Sequence, residues 1–309
     1  MAEFDLLVLG DAKPDLILGG TDEIAFGLGE RIIEGARLTL GGSGAICACG
    51  AAALGLRVAF AGVVGDDEHG TFVAGALGAR GVDTSGLRID PEVPTGVSVV
   101  LKRGDDEAVL TSLGSVATFS SDHLDPAALA SARHVHVASY FLQHALRPSL
   151  GELFARAHAA GASTSIDPNR DYTGDWDGGL FDLLDATDVL FANSSEVREI
   201  TGVDDVDVAA EALAERGTVV AVKFLQGGGL AVWADEMVRS EAIPTTVMDT
   251  TGAGASFAAG FIAGRLEGWS LDRCLALAAA CASLSTRGVG GTAAQPSMEE
   301  ALGALEATA

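Results

Sequence analysis

Short apolar runs of strand length alternate with longer Ala- and Leu-rich runs of helical spacing, and this alternation narrows the fold more than any other feature. Residues 4–9 (FDLLVL), 58–64 (VAFAGVV), 134–138 (HVHVA), 164–166, 189–192 and 219–224 are strand-like. Between the later ones lie helical segments such as 150–160 and 206–216. Strand, helix, strand in succession predicts a mostly parallel sheet with crossover helices, an α/β fold. In such sheets ligands sit at the carboxyl ends of the strands.

Two stretches break this rhythm. Residues 15–40 contain extended segments (DLILGG, RIIEGARLTL) with no long helix between them. Residues 95–111 (TGVSVVLKRGDDEAVLT) predict a hairpin turning at Gly104-Asp105-Asp106. Both are expected as strands of a small sheet standing off the main one, serving as a lid, a dimer surface or a decorated edge. No Pro- or Ser-rich linker sets them apart, so the expectation is a single domain over 1–309. There is no internal repeat and no low-complexity tail.

Composition decides what fills this frame. Apolar residues make up 48% and aromatics 6%, with 40 glycines, so the interior is built from Ala, Val, Leu and Gly, which suits helices packed closely on a sheet. The formal net charge of −24 disfavours nucleic acid and anionic membrane surfaces as partners. A phosphate-bearing ligand must then be held by backbone N–H groups, a helix N-terminus, a divalent ion or a few basic side chains. The segment MAEFDLLVLGDAKPD shows no signal-peptide pattern, and residues 40–56, mostly Gly and Ala, fall short of a membrane span, so the expected compartment is the cytoplasm. Cys47, Cys49, Cys274 and Cys281 lack zinc-ligand spacing; Cys274 and Cys281, seven apart, read as buried thiols on one helix face. His134 and His136 share one side of a strand and read as structural or pocket-lining.

The stretch DTTGAGASFAAGFIAG, from Asp249, reads as a Gly-rich turn followed by a helix of small residues. Gly252 and Gly254 can adopt backbone angles closed to other residues, and successive N–H groups at the helix start offer a site for anionic oxygens. Alone, this is equally a strand-to-helix turn without a ligand. It is neither the GxxxxGK[ST] phosphate loop nor a dinucleotide GxGxxG fingerprint, which argues against a flavin- or NAD-dependent oxidoreductase.

The order of motifs supplies a second observation. DTTGAGASF resembles the D-T-x-G-A-G-D-x-F signature of the ribokinase-like (PfkB) carbohydrate kinases, matching at Asp249, Thr250, Gly252, Ala253, Gly254 and Phe257. GGSGAICACGAAALG (from Gly41), GVVGDDEHG (from Gly62), IDPNRD (from Ile166) and NSSE (from Asn193) are similar to further family motifs, all in family order. The resemblance runs from about residue 8 to 296. It implies a three-layer α/β/α fold with a central mostly parallel sheet and a small β-sheet lid. It also implies ATP-dependent phosphorylation of a hydroxyl on a sugar, sugar acid, nucleoside or related small molecule. Gly252, Ala253 and Gly254 would form the anion hole, with Lys223 and Leu225 beside the nucleotide and Asn193 and Glu196 organising the water shell of Mg²⁺. Asp249 and Thr251, with Ser285, Gly288 and Gly290, match the region that holds a monovalent cation such as K⁺ in relatives. Lys13, Asp15, Gly41, Gly42 and Ile46 fall at substrate-binding positions, and lid strands imply pairing into a homodimer.

The chain departs from the family at four places. Ala255 stands where the general base, an aspartate, is found, and alanine has no proton to move; losing such a base costs about 10²–10⁴-fold in rate. Ile46 replaces an asparagine amide, Lys13 another asparagine, and Leu225 a glycine. Two explanations of Ala255 stand: an aspartate replaced to trap ligands, or a natural pseudokinase. Correspondingly, the chain is a kinase with its transfer step disabled, or a non-catalytic sensor of sugar, nucleoside or nucleotide. Lys13 either faces the sugar pocket, favouring an acidic or phosphorylated substrate, or points to solvent or pairs with Asp11 or Asp15.

Overall fold

A computed structural model describes residues 2–20, 27, 29–30, 32–104 and 106–308. Thirteen strands and nine α-helices are laid out among them. The chain begins with β1 (Phe4–Leu9), β2 (Lys13–Gly19), β3 (Gly35–Gly41) and α1 (Ser43–Ala53), then β4 (Val58–Gly65), α2 (Glu68–Gly78) and β5 (Asp83–Asp90). A hairpin, β6 (Val97–Arg103) and β7 (Asp106–Ser112), precedes β8 (Ala132–Ala138), α3 (Leu150–Ala159), β9 (Ser163–Asp167) and α4 (Leu180–Leu184). Then come β10 (Val189–Asn193), α5 (Ser194–Thr201), α6 (Val206–Ala214), β11 (Val219–Lys223), β12 (Gly229–Trp233) and β13 (Glu236–Ser240). Three helices close the chain: α7 (Ala253–Leu266), α8 (Leu271–Ser285) and α9 (Met298–Glu306).

The large sheet runs β13-β12-β11-β10-β9-β8-β1-β4-β5, parallel from β5 to β11, with the pairs β11–β12 and β12–β13 antiparallel at the edge. Its central strands are apolar on both faces because helices cover both. Within β1, Leu7 and Leu9 face the cluster that holds Leu153, Leu183, Val197 and Leu213 from α3 to α6. Leu6 and Val8 face the opposite cluster, which holds Ala48, Val73, Phe261 and Leu275 from α1, α2, α7 and α8. Alternate side chains of one strand thus enter two cores, the three-layer α/β/α arrangement. Helix α7 approaches α8 closely: a Cβ at Gly260 would lie 2.9 Å from Cys281 Sγ, and one at Gly264 3.0 Å from Cys274 Sγ. All four cysteines are buried free thiols.

The small sheet, β3-β2-β6-β7, joins the two irregular stretches, with β2 and β6 parallel and the outer pairs antiparallel. The turn predicted at Gly104-Asp105-Asp106 and the 15–40 stretch lie partly outside the described residues, at Asp105 and at 21–26, 28 and 31. The chain leaves β1 at Leu9 and enters β2 at Lys13, then leaves β3 at Gly41 and enters α1 at Ser43. Residues 10–15 and 41–46 therefore occupy the seam between the two sheets. Three strands escaped the sequence reading. β5 (DTSGLRID) is polar and half-exposed at the sheet edge, and β12 and β13 form a short edge hairpin. No helix among the described residues is long and apolar enough to cross a membrane.

Candidate active site

The carboxyl ends of β1, β8, β9, β10 and β11 open toward the N-termini of α1, α5 and α7. Gly252 caps α7 in the left-handed region (φ 78°), and a Cβ there would lie 2.7 Å from Gly291 Cα and 3.0 Å from Ile46 Cγ2. Ile46 is buried against this turn; a Cβ at Gly291 would lie 2.4 Å from its Cδ1. Ala253 and Gly254 form the first turn of α7, and Ala255, 6% exposed, presents a methyl group directly after them. The Lys223 ammonium reaches this turn from the end of β11, 3.5 Å from where a Cβ on Gly254 would stand. The Lys223 ammonium thus packs at ordinary contact distance against the first turn of α7. Leu225, by contrast, is 90% exposed beyond β11.

Lys223 Nζ donates to Asp167 Oδ2 at 2.6 Å. Burial works to lower the Lys223 pKa, and the charges of Asp167 and Glu196 outweigh it, holding the group above its ordinary range and charged. Glu196 belongs to a capping box at α5: its Oε2 accepts from Asn193 N–H at 2.8 Å, while Asn193 Oδ1 accepts from the N–H groups of Ser195 (2.8 Å) and Glu196 (2.9 Å). Burial pushes the Glu196 carboxyl up to about 6, against the pull of Lys223.

At the seam, Lys13 Nζ donates to Asp11 Oδ2 at 2.8 Å, and both are buried. Asp11 Oδ1 accepts from Gly44 N–H at 3.1 Å, tying the ion pair to the start of α1. Burial would raise the Asp11 carboxyl, but the Lys13 ammonium holds it below the usual carboxylate range. Asp15 is pushed up to about 6, chiefly by burial. Its carboxylate lies against the Gly41 backbone, where a Cβ would come within 2.0 Å of its Cγ. Gly42, at φ 90°, makes a similar close approach to Asp11, its ideal Cβ 2.6 Å from the Asp11 carbonyl oxygen. Ser139 and Asn169, at the ends of β8 and β9, both adopt left-handed backbone (φ 55° and 58°), a strain non-glycine residues seldom carry away from functional sites. Asn169 Nδ2 donates to Ser139 Oγ at 3.1 Å and to Ser43 Oγ at 3.5 Å, so the ends of β8 and β9 and the start of α1 meet through one amide.

Behind the anion turn, Asp249 is 4% exposed. Its Oδ1 accepts from Thr251 N–H (3.0 Å), Thr251 Oγ1 (2.7 Å) and the Lys102 ammonium (2.9 Å), and its Oδ2 from Gly290 N–H (2.8 Å). Burial would raise this carboxyl, and those backbone N–H groups with Lys102 hold it low. The Thr286 carbonyl accepts from the N–H groups of Met248 and Asp249, and the Gly290 carbonyl from Ala293 N–H. Ser285 closes α8, its hydroxyl donating back to the Ala282 carbonyl, and Gly288 packs beside Ala293 and Ala294.

Sequence reasoning missed several of these groups. Asp11 was seen only as a partner for Lys13, and Lys102 not at all; its contact with Asp249 spans 147 residues. Gln143, fully buried beyond β8, holds the one buried side-chain atom without a partner among the described residues, Oε1. Such an orphaned acceptor marks a place for a hydroxyl or water. Arg170 lies one residue early for a D-x-N-x-R pattern; Asp171, in the arginine's place, accepts N–H bonds from Thr173 and Trp176. One signal in plain view could have found Lys102. Only three of the 19 Lys and Arg residues are lysines, Lys13, Lys102 and Lys223, and all three are paired with aspartates here.

Comparison with known proteins agrees with this geometry. The family described as pfkB family carbohydrate kinase matches residues 6–298. The chain is similar to an ATP-dependent ribose-1-phosphate kinase of Halopiger xanaduensis, 34% identical over 259 residues and 83% of each chain. It is similar to a nucleoside kinase of Methanothermobacter thermautotrophicus, 31% identical over 90% of this chain and 88% of the relative. Among solved structures it resembles Arabidopsis thaliana ribokinase complexed with ribose and ATP, with TM-score 0.83, 27% identity and 99% of each chain covered.

Proposed function

Because this chain belongs to the pfkB family of carbohydrate kinases, we propose that its site binds ATP with Mg²⁺ and a sugar or nucleoside in the cytoplasm, and that Ala255 slows transfer of the terminal phosphoryl group to a substrate hydroxyl. Phosphoryl transfer asks a protein for positioning, charge neutralisation and a group to take the hydroxyl proton. The first turn of α7 with Lys223 provides the first two: N–H groups and an ammonium converge on one point. Asp15, at the seam between the sheets, suits hydroxyl recognition. The third is missing, since a methyl group stands at 255.

Mg²⁺ bound with the nucleotide would supply charge neutralisation across the phosphates. One amide and one carboxylate already engaged in capping, Asn193 and Glu196, suit an ion held mainly by phosphates and water. The small sheet acts in this reading as a lid over the seam, excluding water that would compete for the phosphoryl group. Leu38, Val109 and Leu110 leave apolar surface exposed on that sheet, which supports pairing of two lids in a homodimer; light scattering showing a monomer at high concentration would end that part of the proposal.

The observation that carries the reading is the intact anion turn followed at once by Ala255. Its test is ADP release from MgATP across sugars, sugar acids, sugar phosphates and nucleosides, for this chain beside its Ala255→Asp variant. The expected result is turnover of one substrate class about 10²–10⁴-fold faster by the variant than by the unaltered chain. Ala255 also favours a second reading, a ligand sensor without transfer. Binding by both forms with turnover by neither would establish it.

A further inference from the structure

The family resemblance implies a monovalent cation at Asp249, and the residues present do not fit one. Oδ1 of Asp249 already receives three donors, more than its two lone pairs, and Oδ2 a fourth, so the edge of the carboxylate that faces the turn is saturated. The neighbouring carbonyls of Thr286 and Gly290 are engaged by backbone N–H groups. One of the Asp249 donors is itself a cation. Lys102 reaches it from β6, with its ammonium also paired to Glu107, the residue opposite it on β7. We propose that the Lys102 ammonium replaces a bound monovalent cation at Asp249, so that the small sheet itself braces the anion turn.

Three features support this. An ammonium is a compact point charge, as an alkali cation is, whereas a guanidinium is a planar fork; in a chain that uses arginine for most of its basic residues, the choice of lysine here is informative. The charge is shielded: Lys102 is about three-quarters buried at the side chain, and Asp249 almost wholly so. The brace is also tethered, so it is present whenever the small sheet is docked and absent when it lifts away. A free ion would make the turn depend on salt; Lys102 makes it depend on the position of β6. Lys102 is in this sense a positioning residue, acting on the turn through Asp249 and Thr251.

The inference rests on the nucleotide-binding reading above, and its test separates the two. MgADP affinity by calorimetry and melting temperature are measured in KCl, LiCl and tetramethylammonium chloride at one ionic strength, for the unaltered chain, Lys102→Met and Lys102→Arg. The unaltered chain should give the same affinity in all three salts. Lys102→Met should lose about tenfold in tetramethylammonium, the size of one charge-assisted hydrogen bond, and recover in KCl but not in LiCl. Lys102→Arg, which keeps the charge, should show no K⁺-selective recovery. A K⁺-selective gain in the unaltered chain overturns the proposal, as does the absence of K⁺-selective recovery in Lys102→Met. If MgADP binds no form in any salt, the nucleotide reading fails, and the melting temperatures still decide whether Lys102→Met has acquired a K⁺ site.

Discussion

Lowering the pH from 7 to 5 places a calculable load on two histidines of β8. His134 Nδ1 and Nε2 lie 2.7 Å from the hydroxyls of Ser163 and Ser165, and His136 Nδ1 lies 2.8 Å from the same Ser165 hydroxyl. Burial pushes both imidazoles down to about 3, aided at His134 by His136 and at His136 by the Lys223 charge. An unfolded histidine titrates near 6.5, so between these values the unfolded chain binds a proton that the folded chain refuses. Stability is therefore complete above about pH 6.5 and is lost as the pH falls. From pH 7 to 5 the linkage integral gives about 2 kcal/mol per histidine. Asp15 and Glu196 run the other way: with folded values near 6, they take up protons on folding and offset part of the loss below pH 6. The clean quantity is thus a difference between variants. Urea unfolding followed by circular dichroism at pH 7, 6 and 5 should show His136→Gln losing about 2 kcal/mol less than the unaltered chain over that range. Parallel stability curves for the two would refute the assignment of a buried neutral imidazole.

On the proposed reading Asp15 holds substrate hydroxyls best as a carboxylate, and burial pushes its carboxyl up to about 6, so affinity for the sugar or nucleoside found in the panel should weaken roughly tenfold between pH 7 and 5. Calorimetry with Asp15→Asn should give weak binding with no such slope; an unchanged slope would move the titration to another group. Gly252→Ala forces a side chain onto left-handed backbone and toward Gly291, costing about 1–2 kcal/mol from the backbone alone. A denaturation midpoint equal to that of the unaltered chain would show that the turn relaxes freely.

The large sheet was legible because β1, β4, β8, β9, β10 and β11 are short apolar runs bounded by turns, and both of their faces meet helices. β5 was not, since an edge strand half open to water carries Asp, Ser and Arg where a central strand carries Val and Leu. In the site, the Gly-rich turns and the NSSE cap stand out in the sequence because each answers a local backbone demand: Gly252 takes left-handed backbone at the start of α7, and Asn193 caps α5. Lys102 on β6 and Asp249, just before α7, meet across 147 residues only through the tertiary packing of the small sheet on the segment before α7, and nothing local to either residue records that. Ser139 and Asn169 hide for the opposite reason: neither is a glycine, so their left-handed backbone leaves no mark in composition.

The confinement of lysine to three positions has a practical consequence. Reductive methylation with ¹³C-formaldehyde would install reporters at Lys13, Lys102 and Lys223, with the chain's amino terminus as the only other amine. One reporter sits at the seam between the sheets, one at the contact of the small sheet with Asp249, and one beneath the first turn of α7. A spectrum of a few resonances would then follow three distinct parts of the site in a protein of 309 residues, without assignment of any other signal.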